Sequence, residues 1–225
     1  MTVLDAAPAL PRLSTAMREG SRAEHEAAEG SLFMSELLAG RISPAGYAAY
    51  LRRLRVVYAA LEGAVRRQAS DPVVAAVADP ALERLAALDA DLAHWAPGTD
   101  PAAPLDAVDS PAAHAYADRI TAAEAWGGLL AAHHYTRYLG DLSGGQAIGR
   151  LLDREFSLDG AGTAFYAFPG IPKPKPYKDA YRARLDALGL GEAEVDRIVG
   201  EVKAAFGLNQ ALFAELGEQV ERLRR

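Results

Sequence analysis

Between Glu124 and Arg154 the chain reads EAWGGLLAAHHYTRYLGDLSGGQAIGRLLDR, and this segment constrains the fold more than any other. Trp126, Leu129, Leu130, His133, Tyr138, Leu142 and Ile148 keep a helical spacing, yet Gly140, Gly144 and Gly145 sit in the middle. Each interior glycine costs roughly 1 kcal/mol against alanine, so the group costs about 3 kcal/mol that something must offset. Gly140 and Gly144 are four residues apart and share one face, which leaves a strip of bare backbone there. A flat, bulky ligand or a closely packed second helix would each use such a strip. The helix is also expected to bend at Ser143-Gly144-Gly145. Asp141 beside the strip is either a surface group paired with Arg137 at four-residue spacing or a functional acid at the edge of a cavity.

The rest of the chain is helical in pattern. Ser43-Pro44 is a helix start, a capping hydroxyl followed by proline at the first helical position. After it Tyr47, Tyr50, Leu51, Leu54, Val57, Tyr58, Leu61 and Val65 recur at three- and four-residue spacing, as an amphipathic helix requires. Val195, Ile198, Val199, Val202, Phe206, Leu212, Phe213, Leu216 and Leu223 form a second long stripe. No run alternates with period two; the nearest, Thr163 to Phe168, is short and ends in Pro169. Asp71-Pro72 and Asp79-Pro80 punctuate short helices, whereas Pro97 to Pro111 and Gly160 to Pro176 are expected to be irregular. The prediction is an all-α, single-domain, multi-helix fold over residues 13–225, preceded by a short tail at 1–12.

Bulk properties narrow the function. At 225 residues and 50% hydrophobic, the chain is long enough for a real core. A net charge of -6 provides no broad basic field for nucleic acid. With no cysteine, thiolate ligands, cysteine nucleophiles and disulfides are excluded. Residues Met1 to Pro11 lack the pattern of a signal peptide, and no stretch is long and apolar enough to span a bilayer. A soluble, cytoplasmic protein with no membrane partner is expected.

Of five histidines, His94 and His114 sit beside a helix end and a proline-rich loop and carry no ligand signal. His133 and His134 lie two turns before Asp141, where one of them could face a pocket. His25 differs, because it falls on a stripe of small or apolar residues, Met17, Ser21, Ala28 and Leu32. Glu29 lies one turn on, where its carboxylate could orient the imidazole of a metal ligand. Arg18, two turns earlier on a similar face, could pair with an acidic ligand group. One neutral imidazole without other protein ligands suits haem iron better than zinc.

These residues bring a resemblance into view. Tyr135-Thr136-Arg137-Tyr138-Leu139-Gly140-Asp141-Leu142-Ser143-Gly144-Gly145-Gln146 resembles the signature of the heme oxygenase family. Glu24 to Glu29 resembles the family's proximal-helix segment, and Tyr58 to Glu62 its next long helix. Ala164 to Pro169, Tyr177 to Arg182 and Ala205 to Phe213 resemble its C-terminal half. The similarity runs in register from about Leu13 to Leu216.

The resemblance implies haem b, as substrate and cofactor, sandwiched between a proximal helix and a kinked distal helix. His25 would be the iron ligand, tuned by Glu29, and Gly140, Ser143 and Gly144 would line the opposite face. Asp141, with Tyr58 and Arg137, would organise a water network that delivers a proton toward dioxygen at the haem. Arg18, Tyr135, Lys178 and Arg182 would hold the propionates, fixing haem rotation and favouring attack at the α-meso carbon. Arg18 stands where the family commonly has lysine, which keeps the charge but not the geometry. Phe206, Asn209 and Phe213 would wall the pocket, although plain helix core accounts for them equally well.

The implied reaction is oxidative opening of haem with O2 to biliverdin, ferrous iron and carbon monoxide. No Gly-x-Gly-x-x-Gly turn follows a strand, so electrons must come from a separate donor such as a ferredoxin or flavin reductase. Arg52, Arg53, Arg55, Arg66 and Arg67 could dock an acidic donor. A monomer resembling the bacterial members is expected. Two alternatives compete: a non-degrading haem-binding carrier or sensor, which would have no need of Asp141, and a thiaminase-like enzyme, which would want a cysteine.

Overall fold

The computed structural model describes residues 12–225, so the expected tail lies almost wholly outside the described part. Every named element among those residues is helical, and the sole β feature is an isolated bridge between Ile42 and Arg224. In chain order the helices are α1 (Leu13–Gly20), α2 (Arg22–Glu29), α3 (Leu32–Leu38), α4 (Pro44–Arg67), α5 (Pro72–Val77), α6 (Leu85–Trp95), α7 (Pro111–Ala123) and α8 (Gly127–Gly140). After a π-helical turn at Asp141–Gly145 come α9 (Gln146–Phe156), α10 (Pro174–Asp186), α11 (Glu192–Glu218) and α12 (Val220–Leu223).

Local chemistry sets these boundaries. Ser43 caps α4 by accepting the Gly46 N–H at 3.1 Å, with Pro44 at the first helical position as expected. Asp71 caps α5 through the N–H groups of Val73 and Val74. The same Ser-Pro device starts α7: Ser110 accepts the Ala113 N–H, and Pro111 opens the helix rather than closing a loop. Pro174 and Pro176 likewise belong to the first turn of α10, where their missing N–H groups leave no bond unmade. Both irregular stretches are therefore shorter than the proline content suggests. The second is further ordered by a 3₁₀ turn at Ala164–Tyr166.

α8 and α11 form the most extensive helix pair, while α4 lies against α6 and α7. One continuous core results, filled by Tyr47, Leu51, Leu54, Val57, Tyr58 and Leu61 from α4 and by Val202, Ala205, Leu212 and Leu216 from α11. The end of the chain is tied down as well. The Ser43 N–H donates to the Leu223 carbonyl at 2.7 Å, and buried Glu36 accepts from both Arg41 and Arg224.

Near the N-terminus the single stripe expected through Met17, Ser21, Ala28 and Leu32 is broken. α1 ends at Gly20, Ser21 bonds the Met17 carbonyl at 2.7 Å, and α2 starts afresh. Met17, Ser21 and Ala28 are buried, but Leu32 is 52% exposed and does not belong with them.

Candidate functional site

A cleft of about 660 Å³ opens between α1 and α2 on one side and the end of α8 on the other. Nine of the residues expected at a site line it: Arg18, His25, Glu29, Tyr135, Gly140, Ser143, Gly144, Arg182 and Phe206. A smaller chamber of about 140 Å³ continues from it, sharing His25, Gly140 and Gly144 in its walls, and adds Arg137, Asp141, Asn209 and Phe213. The sequence brings these together because α8 presents the strip Tyr135–Gly144 toward α2, and α11 closes the side.

The glycines divide by role. A Cβ built on Gly140 or Gly144 would meet nothing within 4 Å, so these two present bare backbone to open space. Gly145 and Gly149 face the other way: a Cβ there would approach the Tyr166 side chain at 2.9 and 3.0 Å. Both uses imagined for a small-residue strip thus occur on one rod. Cleft and packing are separated by a single step in sequence.

At Ser143-Gly144-Gly145, where a bend is expected, the rod carries a π-helical turn that begins at Asp141. Gly140, Asp141, Gly145 and Gln146 all keep right-handed helical dihedrals, so the rod widens without leaving the helical region. Such turns add a residue to the helix and commonly mark functional sites. Ser143 bonds back to the Leu139 carbonyl at 2.6 Å and accepts from the Lys178 ammonium at 2.7 Å.

Asp141 is buried, so it is not a surface group, although the expected pairing with Arg137 is present. The Tyr58 hydroxyl donates to its Oδ2, and the Arg137 guanidinium lies 3.7 Å from Oδ1. Arg137 in turn donates to the Tyr58 hydroxyl at 3.1 Å and to Asn209 Oδ1. Burial raises the Asp141 pKa above the ordinary carboxylate value, while Arg137, Tyr58 and more distant Arg84 pull it back. Burial also pushes Tyr58 well up, so the phenol stays a donor. Tyr58 itself does not line the cleft; it acts from behind Asp141.

The facing side is looser. The His25 side chain is 50% exposed, touching Phe206 edge-on with ring centroids 5.4 Å apart. Glu29 stands one turn on, its Oε1 3.7 Å from His25 Nε2, which is beyond hydrogen-bond distance. At the rim, burial lowers the pKa of Lys178, which is absent from the cleft wall and reaches the site through Ser143. Arg182 lines the cleft and holds Asp179 at 3.3 Å.

Sequence reasoning missed Thr136, Tyr50 and Tyr166 as lining residues. Thr136 was visible inside the signature; Tyr50 was hidden in the apolar stripe of α4. The histidines beside the signature do not face the cleft. His133 is fully buried against Glu201 at 2.8 Å, and His134 pairs with the Tyr181 hydroxyl at 2.8 Å. The arginine patch considered for docking is largely neutralised: Arg53 pairs with Glu215, Arg55 with Asp89, Arg66 with Glu83 and Arg67 with Glu124.

A flat macrocycle with carboxylate arms fits what is present. The cleft falls in the usual size range of cofactor sites, its floor is bare backbone at Gly140 and Gly144, an accessible imidazole faces that floor, and Arg18, Lys178 and Arg182 stand near its mouth.

Comparison with known proteins gives a consistent result. A family model described as heme oxygenase matches residues 11–215. Heme oxygenase 1 of Rattus norvegicus is 39% identical over 212 residues, spanning 91% of this chain and 71% of the rat protein. Heme oxygenase 1 of a Nostoc species is 38% identical over 206 residues, spanning 91% and 85%. Among solved structures, heme oxygenase-2 from a Synechocystis species in complex with heme and NO superposes with a TM-score of 0.88 at 33% identity, covering 94% of this chain and 88% of that one. Heme oxygenase-1 from the same genus, in complex with heme, gives 0.86 at 34% identity, covering 94% and 96%.

Proposed function

This chain belongs to the heme oxygenase family and is an enzyme of haem degradation; from that premise we propose how its own residues carry the reaction. The products are biliverdin, ferrous iron and carbon monoxide, formed with O2 and electrons from outside the chain. Bound haem supplies the iron at which dioxygen is activated and the porphyrin that is opened.

His25 binds the iron through its imidazole, and the Glu29 carboxylate one turn on turns the ring toward it once the site is filled. Gly140 and Gly144 let the macrocycle lie against the α8 backbone, a contact that any side chain would hold off. Arg18, Tyr135, Lys178 and Arg182 hold the propionates, with Lys178 and Arg182 one turn apart on α10 and able to face one carboxylate pair. That clamp fixes rotation and selects the meso carbon attacked, which we assign as α. Phe206 and Phe213 close the apolar wall and exclude water.

Proton handling falls to Asp141. Arg137 and Tyr58 fix its carboxylate from two sides, and Asn209 fixes Arg137, so the acid is oriented before any ligand arrives. A carboxylate so held orders water at the cleft edge and passes protons through it. The observation that carries this reading is that buried Asp141 stands beside bare backbone at Gly140 and Gly144, opposite an accessible His25.

The electron donor is a separate protein, a ferredoxin or flavin reductase. With most of the α4 arginines already paired, that face offers it little free charge. No helix among the described residues is long and apolar enough to cross a membrane. We assign a cytoplasmic monomer. The test is to add hemin, record its absorption, then supply electrons in air. Appearance of biliverdin and carbon monoxide supports the assignment; a persistent oxygen-bound spectrum without bilin refutes it.

A further inference from the structure

The smaller chamber beside Asp141 has a wall that the reaction as described does not use. Tyr166 lines it, is 5% exposed, and its hydroxyl is buried without a hydrogen-bond partner in the protein. The Tyr47 hydroxyl is near enough to interact with it, yet the two make no hydrogen bond of normal geometry to each other or to any other group. Tyr50 lines the same chamber, close enough to feel the charges of Arg137 and Asp141. Buried hydroxyls left unmatched are costly, and where a polar recess adjoins them, ordered water is the usual partner.

Tyr166 is also held rigidly. Asp91 accepts the N–H groups of Ala164 and Phe165, each at 2.8 Å. Arg84 donates to the carbonyls of Phe165 and Ala167 from the opposite side. The ring is then wedged against Gly145 and Gly149. A hydroxyl fixed in this way cannot swing out to find a partner elsewhere. At about 140 Å³ the chamber has room for several waters at ~30 Å³ each. The apolar walls, Met34, Ile148 and Phe213 among them, offer no hydrogen bonds and leave such water to the polar ones.

We propose that Tyr166 is a positioning residue which, with Tyr50 and Tyr47, holds ordered water in the chamber next to Asp141 and so supplies a second wall for the network that Asp141 organises. The inference rests on the role given to Asp141, but it is tested without haem or turnover. The groups facing that carboxylate are Tyr58 on α4, Arg137 on α8 and, more distantly, Arg84 ahead of α6. Tyr50 and Tyr166 add neutral hydroxyls within its electrostatic reach.

Tyr166→Phe keeps the ring against Gly145 and Gly149 and removes only the hydroxyl, so folding is not at issue. The test combines a crystal structure of the haem-free protein with a carboxyl NMR titration of Asp141, each for the native protein and for Tyr166→Phe. The expected result is ordered water on Tyr166 Oη in the native protein and its loss in the variant. The Asp141 midpoint should rise by about half a pH unit as the water that donates to its ionised form is no longer held. Tyr47→Phe should move it in the same direction by less. Unchanged water positions with an unchanged midpoint, or a native chamber in which Tyr166 Oη binds no water, overturns the proposal. Either result leaves the role of Asp141 standing, since that is judged by bilin formation in Asp141 variants.

Discussion

The two sides of the cleft are built differently. On the α8 side, Asp141, Arg137, Tyr58 and Asn209 are buried and joined in a closed network, on a rod whose widened turn is braced by Ser143 and wedged by Tyr166. On the α2 side, His25 projects from an eight-residue helix, half exposed, with its carboxylate neighbour beyond bonding distance. On the proposed assignment, the side that would handle protons is already joined before ligand arrives. The side that would bind the iron is left for the ligand to complete, so part of the binding free energy would go into ordering the His25 side chain.

The largest expected effect comes from removing the single ligand on the loose side. His25→Ala should abolish the normal hemin spectrum and lower bilin formation by more than the ~10- to 100-fold typical of losing an outer-shell partner. Added imidazole should restore part of both, because a free ring can take the place of the one removed. Full activity without imidazole would break the comparison.

Glycine substitutions sharpen it further, since neighbouring positions should respond with opposite signs. Gly145→Ala drives a Cβ toward the Tyr166 ring and should cost about 1–3 kcal/mol in urea denaturation. Gly140→Ala meets no atom and should stabilise the haem-free protein by about 0.5–1 kcal/mol through helix propensity, while Gly140→Leu should weaken hemin binding. Equal responses at the two glycines would contradict the division between cleft and packing faces. In amide exchange, α2 should gain protection on hemin binding, with little change for the interior of α8.

The acid response should centre on buried groups, His134 on α8 first among them. Burial holds His134 neutral, with its pKa down from 6.5 to about 3. The unfolded chain takes up that proton as pH falls through 6.5, while the folded chain does not until about 3, so stability is lost as pH falls across that window. Arginine partners hold Glu36 down to about 2, and His133 with Arg119 does the same for buried Glu201; both contribute stability above pH 4.5 that is lost toward 2. Urea midpoints measured against pH should begin to fall near pH 6, and His134→Gln should flatten the limb between about pH 6 and pH 4.

How much of this was legible in the sequence follows the same division. The all-helical class, the Ser43-Pro44 start and the signature around Asp141 could be read because each is a local pattern; His25 lines the cleft, but the stripe that singled it out is broken between α1 and α2. Pro111 was readable in principle, since Ser110 repeats the cap that Ser43 uses, but the prolines around it pointed toward a loop. The division of the glycines could not be read. It depends on Tyr166 arriving from a segment that is distant in sequence and anchored by Asp91 and Arg84. The glycines marked the place of the π-helical turn but not its kind, because the apolar spacing does not record one added residue. The pairing of the α4 arginines required carboxylates from four other parts of the chain.

The most direct test of a finished proton side is Asp141→Ala assayed with hemin, an electron donor and air. Hemin affinity and the ferric spectrum should stay close to native, since His25 and the glycine floor are untouched. Bilin formation should fall by about 100-fold or more, with the haem diverted to a stalled oxidised species. Native yields of biliverdin from that variant would contradict the account.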